Sequence, residues 1–542
     1  MLLSTTRLLK TAVLVAVALP AITLAQGNSA NAPGHLKTET ISVAHKDVLP
    51  SLKDVPAAVL DLSWRKPANP KKRVPYTDDP NFTEDFAAQS APANNLAPAA
   101  ATIAGLGFDG VGQGFSGPQG AFTVQSAPPD TTGAAGATQY VQWVNSSFAV
   151  FNKSTGAAVY GPVAGKTLFT GFGGACEAQN DGDPVVMYDR LANRWVLMQF
   201  AVPTGGPYFQ CVAVSKTSDA TGAYDRYAFQ YTGFNDYPKA GVWPDAYYVT
   251  YNIFNGNTFG GAKVCAMDRA KMLAGDPTAT QQCVQLSTSY GGLLPSDLDG
   301  TTLPPAGTPN YVVNLGTSSL NLWKFKVDWA TPANSALTGP TAIPVSAFSA
   351  ACAGGTCIPQ AGTNNQLDSL ADRAMFRLAY RNFGTYQSLV VNHAVKVGTT
   401  KRSTYTGTRW YELRNLSAAT PTVYQQSTYA PDTTSRWMGS IAMDKQGNMA
   451  LGYSASSSAI KPALRYATRL AGDALNTLSN ETTIIQGAGA QLATLTRWGD
   501  YSSMSIDPVD DCTFWYTSEY LKADGTFNWS TRIHSFKIAS CN

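Results

Sequence analysis

One pattern recurs along this chain: an acidic residue, an alternating apolar strand, a tight turn and a second, aromatic-rich strand. Asp130 opens PPDTTGAAGATQYVQWVNSSFAVFN, Asp183 opens GDPVVMYDRLANRWVLMQF, and Asp236 opens NDYPKAGVWPDAYYVTYNIF. Asp299 stands before PNYVVNLGTSSLNLWKF, and Asp372 opens ADRAMFRLAYRNFGTYQSLVVNH. Arg436 takes the corresponding place in RWMGSIAMDKQGNMALGYS, and Asp500 opens GDYSSMSIDPVDDCTFWYT. Seven openings result, about 53 to 73 residues apart, and a period of that order marks a repeat architecture. A small antiparallel sheet cannot bury both of its faces alone, but sheets stacked around an axis cover one another and keep their edges short. The expectation is an all-β chain forming a single β-propeller of seven blades, with six or eight as alternatives. A β-helix or two stacked sandwiches would not explain openings spaced so evenly.

Composition supports short strands and many turns. Only 14% of the 542 residues are charged, Gly, Ser, Thr, Asn and Tyr are abundant, and no stretch carries the three-to-four-residue apolar rhythm of an amphipathic helix. A formal charge of +3 with acids and bases interspersed offers no basic stripe for phosphates, so nucleic acid is not an expected partner. The segments DRLANRW, DKQGN and DPVDDC supply the Asp, Asn and Gly that tight hairpin turns need.

The N-terminus reads as a signal peptide over residues 1–25, with Arg7 and Lys10 before the apolar run Leu14 to Ile22 and small residues at Thr23-Leu24-Ala25. The run is too short for a permanent membrane anchor, and no later segment is long and apolar enough for one. The expected location is outside the cytoplasm, extracellular or periplasmic. From residue 26 to 101 the chain is rich in Pro, Ala, Asn and Lys and reads as a poorly ordered, propeptide-like arm or linker, leaving 102–542 for the propeller. The segment GFDGVGQGFSGPQGAFTVQ, ahead of the first opening, is placed to add a strand to the last blade.

Eight cysteines suit an oxidising compartment. Proximity and hairpin geometry point to Cys176 with Cys211, Cys265 with Cys283, Cys352 with Cys357, and Cys512 with Cys541. A zinc site is not expected, since no C-x-x-C occurs and His35, His45, His393 and His534 are scattered. His393 and His534 lie in strand-like runs and read as core residues. Gly112-Gln113-Gly114-Phe115-Ser116-Gly117 matches the spacing G-x-G-x-x-G but lacks a flanking strand and helix, and reads as a glycine-rich turn.

In a propeller each innermost strand starts at the same face, so the acidic openings would crowd around a central funnel. Asp130, Asp183, Asp236, Asp299, Asp372 and Asp500 would share one rim, broken by Arg436. Carboxylates so placed repel one another, which raises some of their pKa values or recruits a cation. Asp183 and Asp299, in NDGD and SDLDG, are the candidates for holding Ca²⁺. Asp500 or Asp183 could serve as general acid or base, with Glu519 as partner carboxylate. Arg436 and Arg497 could grip an anionic sugar, while Trp437, Trp498 and Tyr501 could stack on a pyranose ring. An Asp before a strand also caps turns by accepting backbone N–H bonds, so a purely architectural ring stands beside the functional one.

DPVVMYDRLANRWVL, SIAMDKQGNMAL and SMSIDPVDDCTFW resemble the blade hairpins of sialidase-like, Asp-box-containing β-propellers, with Asp444 and Gly447 nearest to an Asp-box turn. From APPDTTGAAGATQYVQWVN onward the chain also resembles a broad group of secreted bacterial proteins. The first resemblance implies a propeller in which Asp-box residues are structural and lie away from catalysis. The expected function is to bind an extracellular polysaccharide or glycoconjugate in the funnel, with hydrolysis as a glycoside hydrolase its catalytic form. The alternative is a non-catalytic extracellular scaffold or adhesion module. A monomer is expected.

Overall fold

The computed structural model describes residue 1 and residues 34–58, 72–89, 101–398 and 405–542. The expected signal peptide and its cut lie outside the described residues, as does much of the expected arm.

The alternating segments form antiparallel meanders, each starting from an inner strand: β1 (Thr132–Ala135), β2 (Gly182–Asp189), β3 (Phe234–Val242), β4 (Leu294–Asp299), β5 (Met375–Asn382), β6 (Ser435–Met443) and β7 (Ser503–Ile506). In the second meander β2 pairs with Arg194–Ala201, which pairs with Tyr208–Ser215, which pairs with Tyr224–Tyr231. Each inner strand neighbours the next in chain order, and β7 returns to β1, so the meanders stand around a closed circle. The architecture is all-β and propeller-like. The two α-helices among the described residues, Gly174–Ala178 and Arg269–Ala274, are short, and no helix there is long and apolar enough to cross a membrane.

Closure around an axis explains why the inner hairpins read as runs of small and apolar residues rather than as clean alternation. Every residue of β6 and of its partner Met449–Ser456 is buried, because sheets pack against both faces. The spacing leaves some positions no room for a side chain. A Cβ on Gly241 of β3 would lie 2.4 Å from the Ser296 carbonyl oxygen of β4, and one on Gly452 would meet the Tyr516 ring at 2.7 Å.

The last meander, β7 with Thr513–Leu521 and Trp529–Ile538, takes its outer strand from ahead of β1: Thr102–Asp109 pairs antiparallel with Trp529–Ile538. The closing strand overlaps the start of the segment singled out in the sequence and begins a few residues earlier. The eight cysteines form the bridges Cys176–Cys211, Cys265–Cys283, Cys352–Cys357 and Cys512–Cys541.

Two expectations need correction. Asn310–Gly316, in PNYVVNLG, is the second strand of its meander, and the innermost is β4, LPSDLD. Asp299 therefore ends an inner strand instead of preceding one. A proline and two acids hide β4 in the sequence, yet Arg377 of the neighbouring β5 ion-pairs with both Asp297 and Asp299 and makes the strand tolerable. Second, the arm is not a linker throughout. Glu39–Leu49 is a strand whose first half pairs with Thr280–Gln285 and whose second half pairs with Tyr224–Tyr231, covering the outer edges of two adjacent meanders. Covered edges cannot pair with another molecule. Further along, Ala88–Gln89 pairs with Thr422–Tyr429, and Asp85 ion-pairs with Arg409.

Hairpin turns close as the Asp residues in the sequence suggested. The Asp444 carboxylate accepts the backbone N–H of Gln446 and of Asn448, each at 2.9 Å, and Gly447 takes the left-handed conformation. Asp189 does the same for Leu191 and Ala192.

Cys512–Cys541 closes a separation of 29 residues within the meander that seals the circle. A Cys512→Ser/Cys541→Ser double variant is expected to lose about 3–4 kcal/mol by the loop-entropy relation. Urea midpoints measured without reductant check this.

Candidate functional site

At the start of several inner strands the pairing register skips, between Gly182 and Val185, between Asp236 and Lys239, and between Trp437 and Ser440. Each skip is a bulge, and within it one residue is left-handed: Asp183 (φ 45°), Tyr237 (φ 55°) and Met438 (φ 54°). Asp130 (φ 47°) and Asp500 (φ 58°) hold the same conformation just ahead of β1 and β7. Bulges re-aim side chains, and Asp tolerates this backbone better than most residues. The repeated Asp is thus a local consequence of how the chain turns into each inner strand.

Three of these carboxylates converge on Lys239. The Lys239 ammonium lies between the rings of Tyr237 and Tyr501, 3.6 and 3.7 Å from their centroids, and donates to the Pro238 carbonyl at 2.9 Å. The two phenols fix the cage: Tyr237 donates to the Asp500 carbonyl at 3.2 Å, and Tyr501 to the Pro184 carbonyl at 3.1 Å. Asp183 accepts the Tyr237 N–H at 3.1 Å, and Asp130 accepts the Asn145 amide at 2.7 Å. Asp500 is ion-paired with Arg497. Arg373 donates to Asp372 at 2.9 Å and lies with its guanidinium 4.4 Å from the Tyr237 centroid.

The electrostatics follow from burying like charges together. Burial, then the charges of Asp500 and Asp183, push the Asp130 carboxyl well above the usual range. Asp183 is raised mainly by burial, against the pull of Lys239. Asp236, half-buried, is pushed up to about 7 by desolvation and then by Asp183. Lys239 is pushed down to about 8 by burial, with Asp183, Asp130 and Asp500 opposing. Glu519, fully buried behind Asp500, accepts the Gly499 N–H at 2.7 Å and is raised well above its ordinary value, chiefly by burial.

The structure brings together Asp130, Asp183, Asp236, Asp500, Arg497 and Tyr501 from the residues marked in the sequence. Asp372 lies at the rim, held by Arg373 and by the Val74 N–H at 3.4 Å, and Glu519 supports the loop bearing Asp500. Others are elsewhere. In β3 the left-handed position belongs to Tyr237, one residue after Asp236. Arg436 is buried on Glu481 and Asp432, outside the funnel, and Met438 holds the position assigned to it. Trp437 and Trp498 are buried with centroids 5.9 Å apart, so they support the site from beneath and offer no face to a sugar. Asp299 lies at the opposite end of its strand from Asp183, so the two cannot share an ion. Among the described residues no group of three or more His, Cys, Asp or Glu side chains is arranged to hold a metal.

Lys239, Tyr237 and Arg373 escaped the sequence reading. A lysine inside the strand NDYPKAGVW was the available signal, since a charge in an otherwise buried inner strand needs a reason. His393, bonded through Nε2 to the Tyr411 hydroxyl at 2.9 Å, is a core residue, and Gly114 turns left-handed in its glycine-rich loop.

No protein-family model and no curated protein matches the sequence. Solved structures similar to the chain include the α-L-arabinofuranosidase of Lactobacillus brevis, at 12% identity and TM-score 0.29 over 65% of this chain and 89% of that one. The N-terminal domain of Nup159 matches at 6% identity and TM-score 0.33, over 88% and 99%. An exo-β-1,3-galactanase of Clostridium thermocellum matches at 11% identity and TM-score 0.29, over 67% and 78%.

A carboxyl whose folded pKa exceeds its unfolded value keeps its proton in the native state. Its contribution is complete below about pH 4 and is lost as pH rises through the folded value. For Asp236 that window ends at about 7. Asp236→Asn should therefore flatten part of the fall in stability between about pH 4 and 7, read from urea midpoints across that range.

Proposed function

We propose that the protein is a secreted, monomeric, seven-bladed β-propeller that binds an extracellular polysaccharide or glycoconjugate in its funnel and hydrolyses it by acid–base chemistry. The carrying observation is the convergence of Asp130, Asp183, Asp236 and Asp500, drawn from the starts of two inner strands and the approaches to two others, around the caged Lys239. Glycoside hydrolysis needs one protonated carboxyl and one ionised carboxylate flanking the scissile bond. Asp236 suits the acid, because it retains its proton up to about pH 7 and is only half-buried. Asp500, ion-paired with Arg497, suits the carboxylate. Glu519 acts through Gly499 as a positioning residue and does not reach the sugar. Four disulfides among the described residues are in keeping with an oxidising compartment.

One observation favours the second reading, a non-catalytic scaffold. Asp130 and Asp183 each accept a hydrogen bond from the fold itself, as architectural aspartates do. A panel of bacterial, plant and algal polysaccharides, with reducing ends released as the readout and a glycan array beside it, separates the two. Asp236→Asn and Asp500→Asn should each lower hydrolysis by about a hundredfold or more while the thermal midpoint stays within a few degrees. Absence of hydrolysis by the wild type, with a blank array, would establish the scaffold instead.

A further inference from the structure

We propose that the Cys352–Cys357 bridge is a thiol-labile clasp: exchange with an external dithiol opens it and loosens a hairpin that covers the Lys239 cluster. The inference concerns access to the cluster and holds whatever the cluster binds.

The cover is an insertion between the fourth and fifth meanders. Thr356–Gln360 and Thr363–Asp368 form a two-stranded sheet of their own, joined to no meander among the described residues. Its apolar side chains Ile358 and Leu367 are fully buried in one cluster with Tyr237, Tyr501, Trp437 and Trp498, and Cys352 packs against that cluster. The two ends of the insertion reach the two guanidiniums beside the cage. Gly354, inside the disulfide loop, sits so near Asp372 that a Cβ on it would lie 3.3 Å from the Asp372 Cβ, and Asp372 holds the Arg373 that stacks on Tyr237. Asp368, the last residue of the hairpin, adds its charge to the field around Arg497, the partner of Asp500. The remaining anchors are side-chain amides. The Gln491 N–H donates to Gln360 Oε1 at 2.8 Å, and Asn365 donates to the carbonyls of Gln491 and Leu495 at 2.9 and 2.8 Å. Lys239 and Tyr501 are each only 1% exposed beneath the insertion, so a ligand reaches them when it moves.

Of the four bridges this one is open to reagents. The six cysteines of the other three are at most 1% exposed, whereas Cys352 and Cys357 are both part-exposed. Exchange requires a thiolate to reach a sulfur, so access ranks the bridges. The clasp also holds an unfavourable backbone: Cys352 and Ala353 are left-handed, with φ of 54° and 50°. Non-glycine residues keep that conformation only where their surroundings over-determine it, and a bridge across a separation of 5 residues does so here. In the exchange a dithiol's thiolate attacks Cys357 Sγ, breaks the S–S bond and releases Cys352 as a thiolate. The second thiol then closes on the reagent's own sulfur and releases Cys357. The reagent leaves as a cyclic disulfide, having given two electrons and two protons to the cysteines. Freed of the bridge, Cys352 and Ala353 return to ordinary backbone and the loop withdraws from Asp372.

The test treats the full, native chain with dithiothreitol at pH 7.5, traps thiols with iodoacetamide and maps the peptides by mass. Cys352 and Cys357 should be alkylated at least about tenfold faster than any of the other six cysteines. Acylation of Lys239 by a water-soluble succinimidyl ester should then rise at least about fivefold, as local opening demands, while Lys216, exposed on the second meander, serves as the unchanged reference. A Cys352→Ser/Cys357→Ser variant should show the raised Lys239 labelling with no reductant; should it fail to fold, the reduced native chain decides alone. Another bridge reacting as fast, or all eight cysteines reacting together as in global unfolding, overturns the inference. Selective reduction that leaves Lys239 labelling unchanged overturns it too, because the hairpin is then a fixed plug.

Discussion

The closing of the circle is the constraint on which the rest depends. Each meander presents two flat faces, and an open row would leave its first and last faces in water, at a cost set by their apolar area. The seam is closed by backbone pairing of Thr102–Asp109 with Trp529–Ile538 and by packing across it. Tyr140 stacks on Trp515 with centroids 5.2 Å apart, and Ser503 of β7 donates to the Gly133 carbonyl of β1 at 2.8 Å. Asp130 precedes β1 and Asp500 precedes β7, so the two acids meet only because this seam is shut. The fold's least local contact and the site's most crowded charges are the same piece of geometry.

The two ends of the central channel deal with charge differently. At the turn side Arg190 and Arg381 both bind Asp511, while Arg377 binds Asp297 and Asp299, so acids and bases from several meanders are matched. Such buried pairs add little net stability, but breaking one is costly, so they fix the register of strands against each other. Around Lys239, Asp130, Asp183 and Asp236 have no such matching among the described residues. The cost of desolvating them is left standing and appears as raised pKa values. Their neighbours Asp500 and Asp372 are paired, with Arg497 and Arg373, so matched and unmatched acids stand side by side at this end.

How much of this was legible in the sequence depended on which physical signal carried it. The repeat, the turn aspartates and the circle of inner strands follow from periodicity and from the conformational preferences of Asp, Asn and Gly, and the disulfide partners from proximity along the chain, all of them local signals. The strand β4 was hidden because its acids are excused by Arg377, a partner on another meander. The strand Glu39–Leu49 was hidden because it lies in a stretch of arm-like composition and its role is to cover two edges formed far along the chain. Trp437, Trp498 and Arg436 look like ligand-binding residues in one dimension, and only the packing reveals that they face inward.

The position of the bulge explains both why aspartate recurs at the openings and why it can be replaced. A left-handed residue stands at or just ahead of the start of five inner strands, and Asp is one of few non-glycine residues that accept this backbone readily. A shift of one residue along the strand is enough to change what is presented. In β3 the position passes from Asp236 to Tyr237, which trades a carboxylate for one wall of the Lys239 cage and leaves Asp236 half-buried beside it. In β6 it passes to Met438, whose side chain packs against Gly499 beside Asp500, so that a Cβ there would lie 2.9 Å from it. The ring of acids is thereby made lopsided, apolar at β6 and lined by carboxyl groups across β1, β2 and β7. A symmetric ring would serve architecture equally well on every side. The asymmetry is what makes one side of the circle of inner strands chemically different from the other.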